Sequence, residues 1–373
     1  MQTTQFEIPP GFIDLGLGDP QSSLLPLELL RQAAEERLSQ KDREFLQYGS
    51  TQGDGTFRIS LANFLSHAYG FPTDASSIFI TSGASMGLHL ICTLFTSPGD
   101  TIFIEEPTYF YALRIFADHH LHLIPIQTDH DGLMIESFEE QVSRFHPKLL
   151  YLIPTFQNPT GQTLPAERRK RLVELCRRND ILLVADEVYH LLSFSAQPPE
   201  PFAAQVENGN VISLGSFSKI LAPGLRLGWI QAGAEILHRC TTCGLLESGG
   251  GLNPFTSAIA QRVIENGALE QNIDKLISIY RNRAAVLDSL LRQHLPGCDF
   301  TTPRGGYFFW VRLPEGKNAN SLLLRAQDLN VGFRPGTLFS SQGRKEDFIR
   351  LSYVFYELDD LEQGILRIKQ SLE

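Results

Sequence analysis

From residue 76 onward, short runs that are apolar at nearly every position alternate with stretches of helical period. The runs are SIFIT (77–81), DTIFIEE (100–106), HLHLIPI (120–126), KLLYLIP (148–154), DILLVADEV (180–188) and NVISLGS (210–216). A strand with one wet face alternates apolar and polar residues. A run that is apolar throughout predicts a strand covered on both faces, and helices between such strands predict a mostly parallel sheet. Residues 84–95 predict an apolar helix behind the first strand, and another helix starts near Pro165.

The two ends of the chain read differently. PLELLRQAAEERL (26–38) predicts an amphipathic helix with proline at its start, and a long helix is expected from about Ile273 to Gln293. GGYFFWVRL (305–313) and DFIRLSYVF (347–355) alternate their faces as antiparallel strands do. The C-terminal third and the N-terminal segment are therefore expected to build a smaller α+β domain beside the large α/β one. The expected division is 1–45 for the N-terminal segment that joins the small domain, 46–275 for the large domain and 276–373 for the small one.

Composition narrows the function. With 373 residues, 42% of them hydrophobic and 20% charged, the chain has the makeup of a globular protein with a sizeable core. Its net charge of −10 argues against nucleic acid or an anionic membrane as a partner, and RRKR (168–171) reads as the wet face of a helix. The N-terminus, MQTTQFEIPPGFIDLG, has no cationic region followed by an apolar one, and the apolar run 84–95 is far short of a membrane span, so a cytoplasmic location is expected. Cys240 and Cys243 form a CxxC with no second pair nearby and read as two ordinary positions. LGLGDP (15–20) starts like a dinucleotide fingerprint but lacks the third glycine and the βαβ setting. His119, His120, His122 and His130 cluster in sequence, and His120 and His122 would share a strand face; no acid or cysteine pattern completes a metal site, and no metal is expected.

In an open parallel sheet, ligands bind beyond the carboxyl ends of the strands. SIFIT runs into SGAS (82–85), where Gly83 permits close approach and the free N–H groups of Ala84 and Ser85 suit an anion such as phosphate. DTIFIEE runs into PTYF, placing Tyr109 at a strand end; KLLYLIP runs into TFQNPTG, where Asn158 precedes Pro159 and is expected to be extended. DILLVA ends on Asp186, a carboxylate that is costly to bury without a cation, with Tyr189 three positions on. NVISLG runs into Ser216, Ser218 and Lys219, and Arg226 follows. Each of these has an ordinary reading alone, as an N-cap, a core aromatic, an Asn-Pro turn or a surface lysine. One ligand asks for the whole set: pyridoxal 5′-phosphate, with an aldehyde for a lysine, a ring nitrogen for a carboxylate, a phenolic oxygen for donors and a phosphate for hydroxyls and an arginine.

The chain resembles the class I/II aminotransferases of the fold-type-I pyridoxal-phosphate enzymes, and among them the branch of 2-aminoadipate and kynurenine aminotransferases. The resemblance rests on LGLGDP (15–20), YGSTQGDGTFR (48–58), PTFQNPTG (154–161), DEVY (186–189), SFSKILAPGLRLGW (216–229), GGGLNPFTS (249–257), GGYFFWV (305–311) and RLSY (350–353). It implies a large, mostly parallel seven-stranded sheet domain with a smaller α+β domain, pyridoxal 5′-phosphate as cofactor, and transfer of an amino group between an amino acid and a 2-oxo acid by a ping-pong mechanism.

Residue by residue, the resemblance implies that Lys219 forms the covalent link to the cofactor and then acts as the base. Asp186 would pair with the ring nitrogen, Asn158 and Tyr189 would donate to the phenolic oxygen, and Tyr109 would stack on the ring. Gly83, Ala84, Ser85, Ser216, Ser218 and Arg226 would hold the phosphate. Arg350 would clamp the substrate α-carboxylate, with Gly18 and Asn158 beside it. Tyr48 matches a tyrosine that reaches the neighbouring subunit's phosphate, which implies a homodimer with shared active sites. Ser85 stands where the family often has a glutamine or another polar residue, and Asp54-Gly55-Thr56 where it often has a tyrosine or an aromatic-proline pair; the second departure bears on the substrate entrance. A lyase or decarboxylase on the same fold is the alternative, since fold and cofactor do not fix the reaction. A non-catalytic effector domain ranks last, because the pattern begins by residue 15 and leaves no room for a helix-turn-helix ahead of it.

Overall fold

The structure is a computed structural model that describes residues 4–194 and 198–373. Its strands in chain order are β1 (Ile13–Asp14), β2 (Ile78–Thr81), β3 (Thr101–Glu106), β4 (His122–Asp129), β5 (Gly132–Leu133), β6 (Leu149–Leu152) and β7 (Leu182–Asp186). They continue as β8 (Val211–Ser216), β9 (Gly228–Ala232), β10 (Asp299–Phe300), β11 (Phe308–Arg312), β12 (Val331–Gly332), β13 (Arg334–Pro335) and β14 (Phe348–Ser352). The large sheet has the order β2-β9-β8-β7-β6-β3-β4-β5. Strands β8, β7, β6, β3 and β4 are parallel, while β9 is antiparallel to both of its neighbours. Seven strands form the body of the sheet; the eighth, β5, is a two-residue antiparallel return on β4.

The continuous apolar runs have the cause inferred from the sequence. Ile102, Ile104, Leu149, Tyr151, Val184, Ile212 and Leu214 join one core, while Phe103, Leu150, Leu152, Leu183 and Ala185 join a second. Successive side chains of a strand point to opposite faces, so both faces of β3, β6, β7 and β8 are buried, whereas β4, from the run HLHLIPI, is only partly covered, contrary to expectation. Each such Leu or Phe contributes roughly 1.5–3 kcal/mol by leaving water. Helix Ala84–Phe95 packs against β8 and β9, and helix Ala166–Arg178 begins after Pro165 and packs against β7.

The chain order reverses between β3 and β6: from β6 the sheet grows through β7 and β8, and from β3 it grows through β4 in the other direction. A crevice opens at the carboxyl ends there. The smaller sheet, β10-β11-β14-β13, lies on the far side of that crevice, with Trp310 opposite Arg350. The N-terminal segment is tied to the same side, because β1 pairs with β12, the Leu15 N–H donates to the Gly332 oxygen at 2.8 Å and the Ser352 N–H donates to the Leu15 oxygen at 2.6 Å.

Three expectations shift in detail. The long helix runs from Ala268 to His294 and so passes without a break through the expected join at 275. Strand β4 starts at His122, and His120 sits in the preceding turn with φ +55°, so the two histidines do not share a strand face. The Asn158–Pro159 peptide is cis, which the expected extended conformation did not include. All five cysteines are free, with Cys240 buried in helix Ala234–Thr241. Among the described residues no helix is long and apolar enough to cross a membrane.

Candidate active site

Lys219 follows β8 through a turn pinned by the buried Phe217, whose N–H donates to the Leu227 oxygen at 3.0 Å. Its Nζ crosses the crevice and donates to the Gly18 oxygen at 3.1 Å. The ring centres of Tyr307 and Tyr189 lie 5.1 and 5.9 Å from the same nitrogen, and the Tyr307 hydroxyl donates to the Lys219 backbone oxygen at 3.2 Å. Burial pulls the lysine below its ordinary value; Asp19 opposes that pull and Arg350 adds to it. An amine so placed gives up its proton more readily than a free lysine.

Asp186 ends β7 and is buried. Its Oδ2 accepts from the Tyr151 hydroxyl at 2.8 Å, whereas its Oδ1 is buried without a hydrogen-bond partner. Burial pushes the carboxyl up to about 6, against the Tyr151 hydroxyl, the Val188 N–H and Lys219. A cation at Oδ1 would reverse that shift.

Arg350 projects from β14 into the crevice and is buried. Nη1 donates to Asn158 Oδ1 at 2.8 Å and Nη2 to the Gly16 oxygen at 2.7 Å, while Nε is buried without a partner. The guanidinium carbon stands 3.9 Å from the Phe308 ring centre and 4.9 Å from that of Phe339. Burial lowers it to about 10, which leaves it charged at neutral pH. A Cβ on Gly18 would stand 3.1 Å from the Phe308 ring and 3.9 Å from Arg350 Nη2, so a larger residue would press the N-terminal strap against both. Because Asn158 Oδ1 faces Arg350, its Nδ2 is the atom left to donate elsewhere.

At the sheet's other side, Gly83 has φ +91° and caps helix Ala84–Phe95. A Cβ there would meet Arg226 Nη2 at 2.8 Å. Arg226 itself sits at φ +45° and donates to the Ser82 oxygen at 3.2 Å, which lays its guanidinium across the helix N-terminus. Ser216 is buried and its Oγ accepts from the Ser218 N–H at 3.1 Å. Helix N–H groups and an arginine thus meet at this end of the sheet, with the hydroxyl-bearing Ser216 and Ser218 at the end of β8, the composition of a phosphate site. Tyr109 caps helix Phe110–Asp118, and the charges of Asp186 and Arg350 both act on its phenol, which burial pushes up. Tyr189 is buried against Tyr307, with ring centres 5.3 Å apart.

The structure therefore brings together Gly18, Gly83, Ala84, Tyr109, Asn158, Asp186, Tyr189, Ser216, Ser218, Lys219, Arg226 and Arg350 around the crevice. Ser85 contributes its place in the first helical turn, with an exposed side chain. Tyr48 is not brought to the others: it is 84% exposed and makes no hydrogen bond or ring contact among the described residues. Sequence reasoning missed Tyr151, Tyr307 and Glu105. Glu105 is buried, accepts from the Ile153 N–H at 2.8 Å, and is pushed by burial up to about 8. The available signals were a phenol inside the apolar strand LLYL and a second acid closing FIEE.

Residues 10–368 match the aminotransferase class I and II family. The chain belongs to that family. The aminotransferase is 34% identical over 369 residues to aromatic-amino-acid aminotransferase 1 of Thermococcus litoralis, covering 97% of this chain and 88% of that one. It is similar in structure to a kynurenine aminotransferase of Pyrococcus horikoshii solved with PMP, with a TM-score of 0.91, 33% identity, and coverage of 97% of this chain and 90% of that one. An α-aminoadipate aminotransferase of Thermus thermophilus, complexed with N-(5′-phosphopyridoxyl)-L-leucine, gives a TM-score of 0.88 at 30% identity, over 97% and 92% of the two chains.

The cofactor of this aminotransferase is pyridoxal 5′-phosphate. The residues present fit it. The partnerless Asp186 Oδ1 suits a protonated ring nitrogen, and the Gly83–Arg226 cradle suits the phosphate. Arg350 Nε, also partnerless, suits an anion such as a carboxylate.

Proposed function

We propose that Lys219, Asp186 and Arg350 carry out amino-group transfer between an amino acid and a 2-oxo acid, each at its own part of the crevice. Pyridoxal 5′-phosphate, when bound, supplies an aldehyde to take up the amino group and an electron-poor ring to accept the electrons of the bond broken at the substrate's Cα. Lys219 Nζ would hold the cofactor by its aldehyde and would serve as the base that takes the proton from the substrate's Cα. Asp186 keeps the proton on the ring nitrogen, with Tyr151 holding its other oxygen. Asn158 and Tyr189 donate to the phenolic oxygen, and Tyr109 covers the ring face. The N–H groups after Gly83, with Ser216, Ser218 and Arg226, hold the phosphate. Arg350, Gly18 and Asn158 orient the α-carboxylate, so that the Cα–H faces the lysine.

The observation that carries this assignment is the buried Asp186 Oδ1 without a partner, one strand away from Lys219. Steady-state rates measured across both substrates should give parallel lines. Release of ammonia or carbon dioxide with no 2-oxo acid required would favour a lyase instead.

The active unit in this proposal is a homodimer in the cytoplasm. The ring pair Phe45–Phe255 and the bridge between Gly49 and Gly251 gather exposed apolar side chains, Leu46, Tyr48 and Phe255, into one patch, from which Tyr48 would reach the phosphate of a second subunit. The mass in solution should be twice the chain's 41.8 kDa. Five free cysteines suit a reducing compartment, which cell fractionation tests. We also assign residues 1–45 and 276–373 to the smaller domain and 46–275 to the larger, supported by the pairing of Ile13 with Val331. Amides of residues 13–18 and 331–352 should then exchange with solvent as one cooperative unit.

A further inference from the structure

The run RRKR (168–171) reads from the sequence as the wet face of a helix, and Arg169 departs from that reading. It sits in the first turn of helix Ala166–Arg178 and is only 5% exposed. Its guanidinium reaches back over the loop between β6 and that helix. Nη2 donates to the Pro154 oxygen and to Thr155 Oγ1, both at 2.8 Å, and Nε donates to the Leu164 oxygen at 2.9 Å. Residues 154 and 164 are the two ends of the loop that carries Asn158, and the Leu164 N–H donates back to the Pro154 oxygen at 2.8 Å. Nη1 donates to the Glu200 oxygen at 3.2 Å and lies 3.8 Å from Glu187 Oε1. Burial lowers the guanidinium to about 10, so it stays charged at neutral pH.

Burying a guanidinium costs free energy that packing alone does not call for, and this one spends most of its hydrogen bonds on the loop. At the loop's apex, Asn158 Oδ1 accepts from Arg350 Nη1 at 2.8 Å, which leaves Nδ2 to donate toward the cofactor. Further on, Gly161 lies against β11, where a Cβ would stand 3.2 Å from the Phe308 oxygen. Gln157 fastens the loop near its apex: Nε2 donates to the Pro107 oxygen at 2.8 Å, and Oε1 accepts from the Thr160 N–H at 2.9 Å. Arg169 closes the base. A side-chain amide is aimed only as well as the backbone beneath it is fixed. A base closed by the Leu164 N–H alone would leave that backbone freer than one closed by the guanidinium as well.

We propose that Arg169 is a positioning residue for the contact to the cofactor's phenolic oxygen: by clamping Pro154, Thr155 and Leu164 it fixes the direction in which Asn158 donates. This rests on the assignment of Asn158 above, through which Arg169 acts. A donor to the phenolic oxygen satisfies its negative charge and weakens its hold on the proton beside it. An Asn158 aimed less well therefore raises the pH at which the bound cofactor changes colour. The loss of one such bond shifts that pH by about half a unit to one unit.

The test titrates the visible absorbance of the pyridoxal-phosphate-loaded enzyme against pH, for the wild type, Arg169→Lys, Asn158→Ala and the double variant. Lysine keeps a positive charge beside Glu187 but cannot fork to both ends of the loop. Arg169→Lys should raise the midpoint by about half a unit to one unit. In the Asn158→Ala background, where the midpoint is already raised, the same change should add nothing. Thr155→Val removes one acceptor of the clamp at nearly the same volume. It should shift the midpoint the same way by less, and it decides the matter should Arg169→Lys fail to fold. In the cofactor-free protein, amides of residues 155–164 should exchange faster in Arg169→Lys than in the wild type, while those of β7 and β8 keep their protection. A variant that melts lower yet keeps the wild-type midpoint would overturn the proposal, because Arg169 would then only stabilise the fold. An equal shift with and without Asn158 would overturn it too. Should Asn158→Ala itself leave the midpoint unmoved, the assignment of Asn158 fails and this proposal with it.

Discussion

Lys219→Ala should abolish turnover and leave the protein at its unmodified mass after reduction with borohydride in the presence of pyridoxal 5′-phosphate. Two functions are lost with one side chain. The first is the covalent link, which needs an amine whose proton leaves near neutral pH, and burial lowers the lysine toward that condition. The second is proton transfer at Cα, for which a positioned base contributes roughly 10²–10⁴-fold. A fall of about four orders of magnitude or more is expected, with cofactor still held non-covalently by the Gly83–Arg226 cradle. The truncation should not unfold the protein, since the tyrosines on either side of Nζ keep their own packing: Tyr189 against Phe308, and Tyr307 against Tyr280. A borohydride-stable adduct on the variant would show that a different lysine forms the link.

Asp186→Asn should separate stability from activity. At about 3 Å and an effective dielectric of about 20, a carboxylate and a pyridinium attract by roughly 5 kcal/mol before desolvation. Half of that raises the ring nitrogen's pKa by about two units, and losing it should slow the reaction by roughly a hundredfold or more. The cofactor-free protein should respond in the opposite sense. Burial lifts the carboxyl from 3.8 to about 6, so the folded state binds its proton more tightly than the unfolded chain does. The stability from that proton is present below about pH 4 and lost as pH rises through about 6, a loss of about 3 kcal/mol by pH 7.5. Asparagine carries no charge and keeps an acceptor for Tyr151. The variant should therefore match wild type at pH 4 and melt higher at pH 7.5 without cofactor, and lose that advantage once cofactor is bound. A wild-type rate in the variant would mean that the ring nitrogen needs no carboxylate.

The parts of the fold that lay in the sequence were those with a local cause. Runs apolar at every position became β3, β6, β7 and β8 because both faces of the sheet are covered, and Pro165 stopped where a helix could begin. The residues at strand ends, from Gly83 to Arg226, converge because parallel strands deliver their carboxyl ends to one edge. What escaped was set by contacts distant in sequence. Tyr151 reads as a core aromatic until β6 lies beside β7 and its hydroxyl meets Asp186. The strap's crossing to Lys219 escaped as well, since Gly18 lies 201 positions away. Arg350 was legible only through the resemblance, since nothing in RLSY by itself distinguishes it from a surface arginine on an edge strand.

The central claim is that this chain stores an amino group between two half-reactions, and single-turnover stoichiometry tests it most directly. Purified enzyme loaded with pyridoxal 5′-phosphate is mixed with a suitable amino acid and no acceptor, and the 2-oxo acid released is counted against active sites. One equivalent per subunit, followed by arrest, and by restart when a second 2-oxo acid is added, is the expected result. Continuous release of ammonia or carbon dioxide under the same conditions, with no arrest, would contradict it.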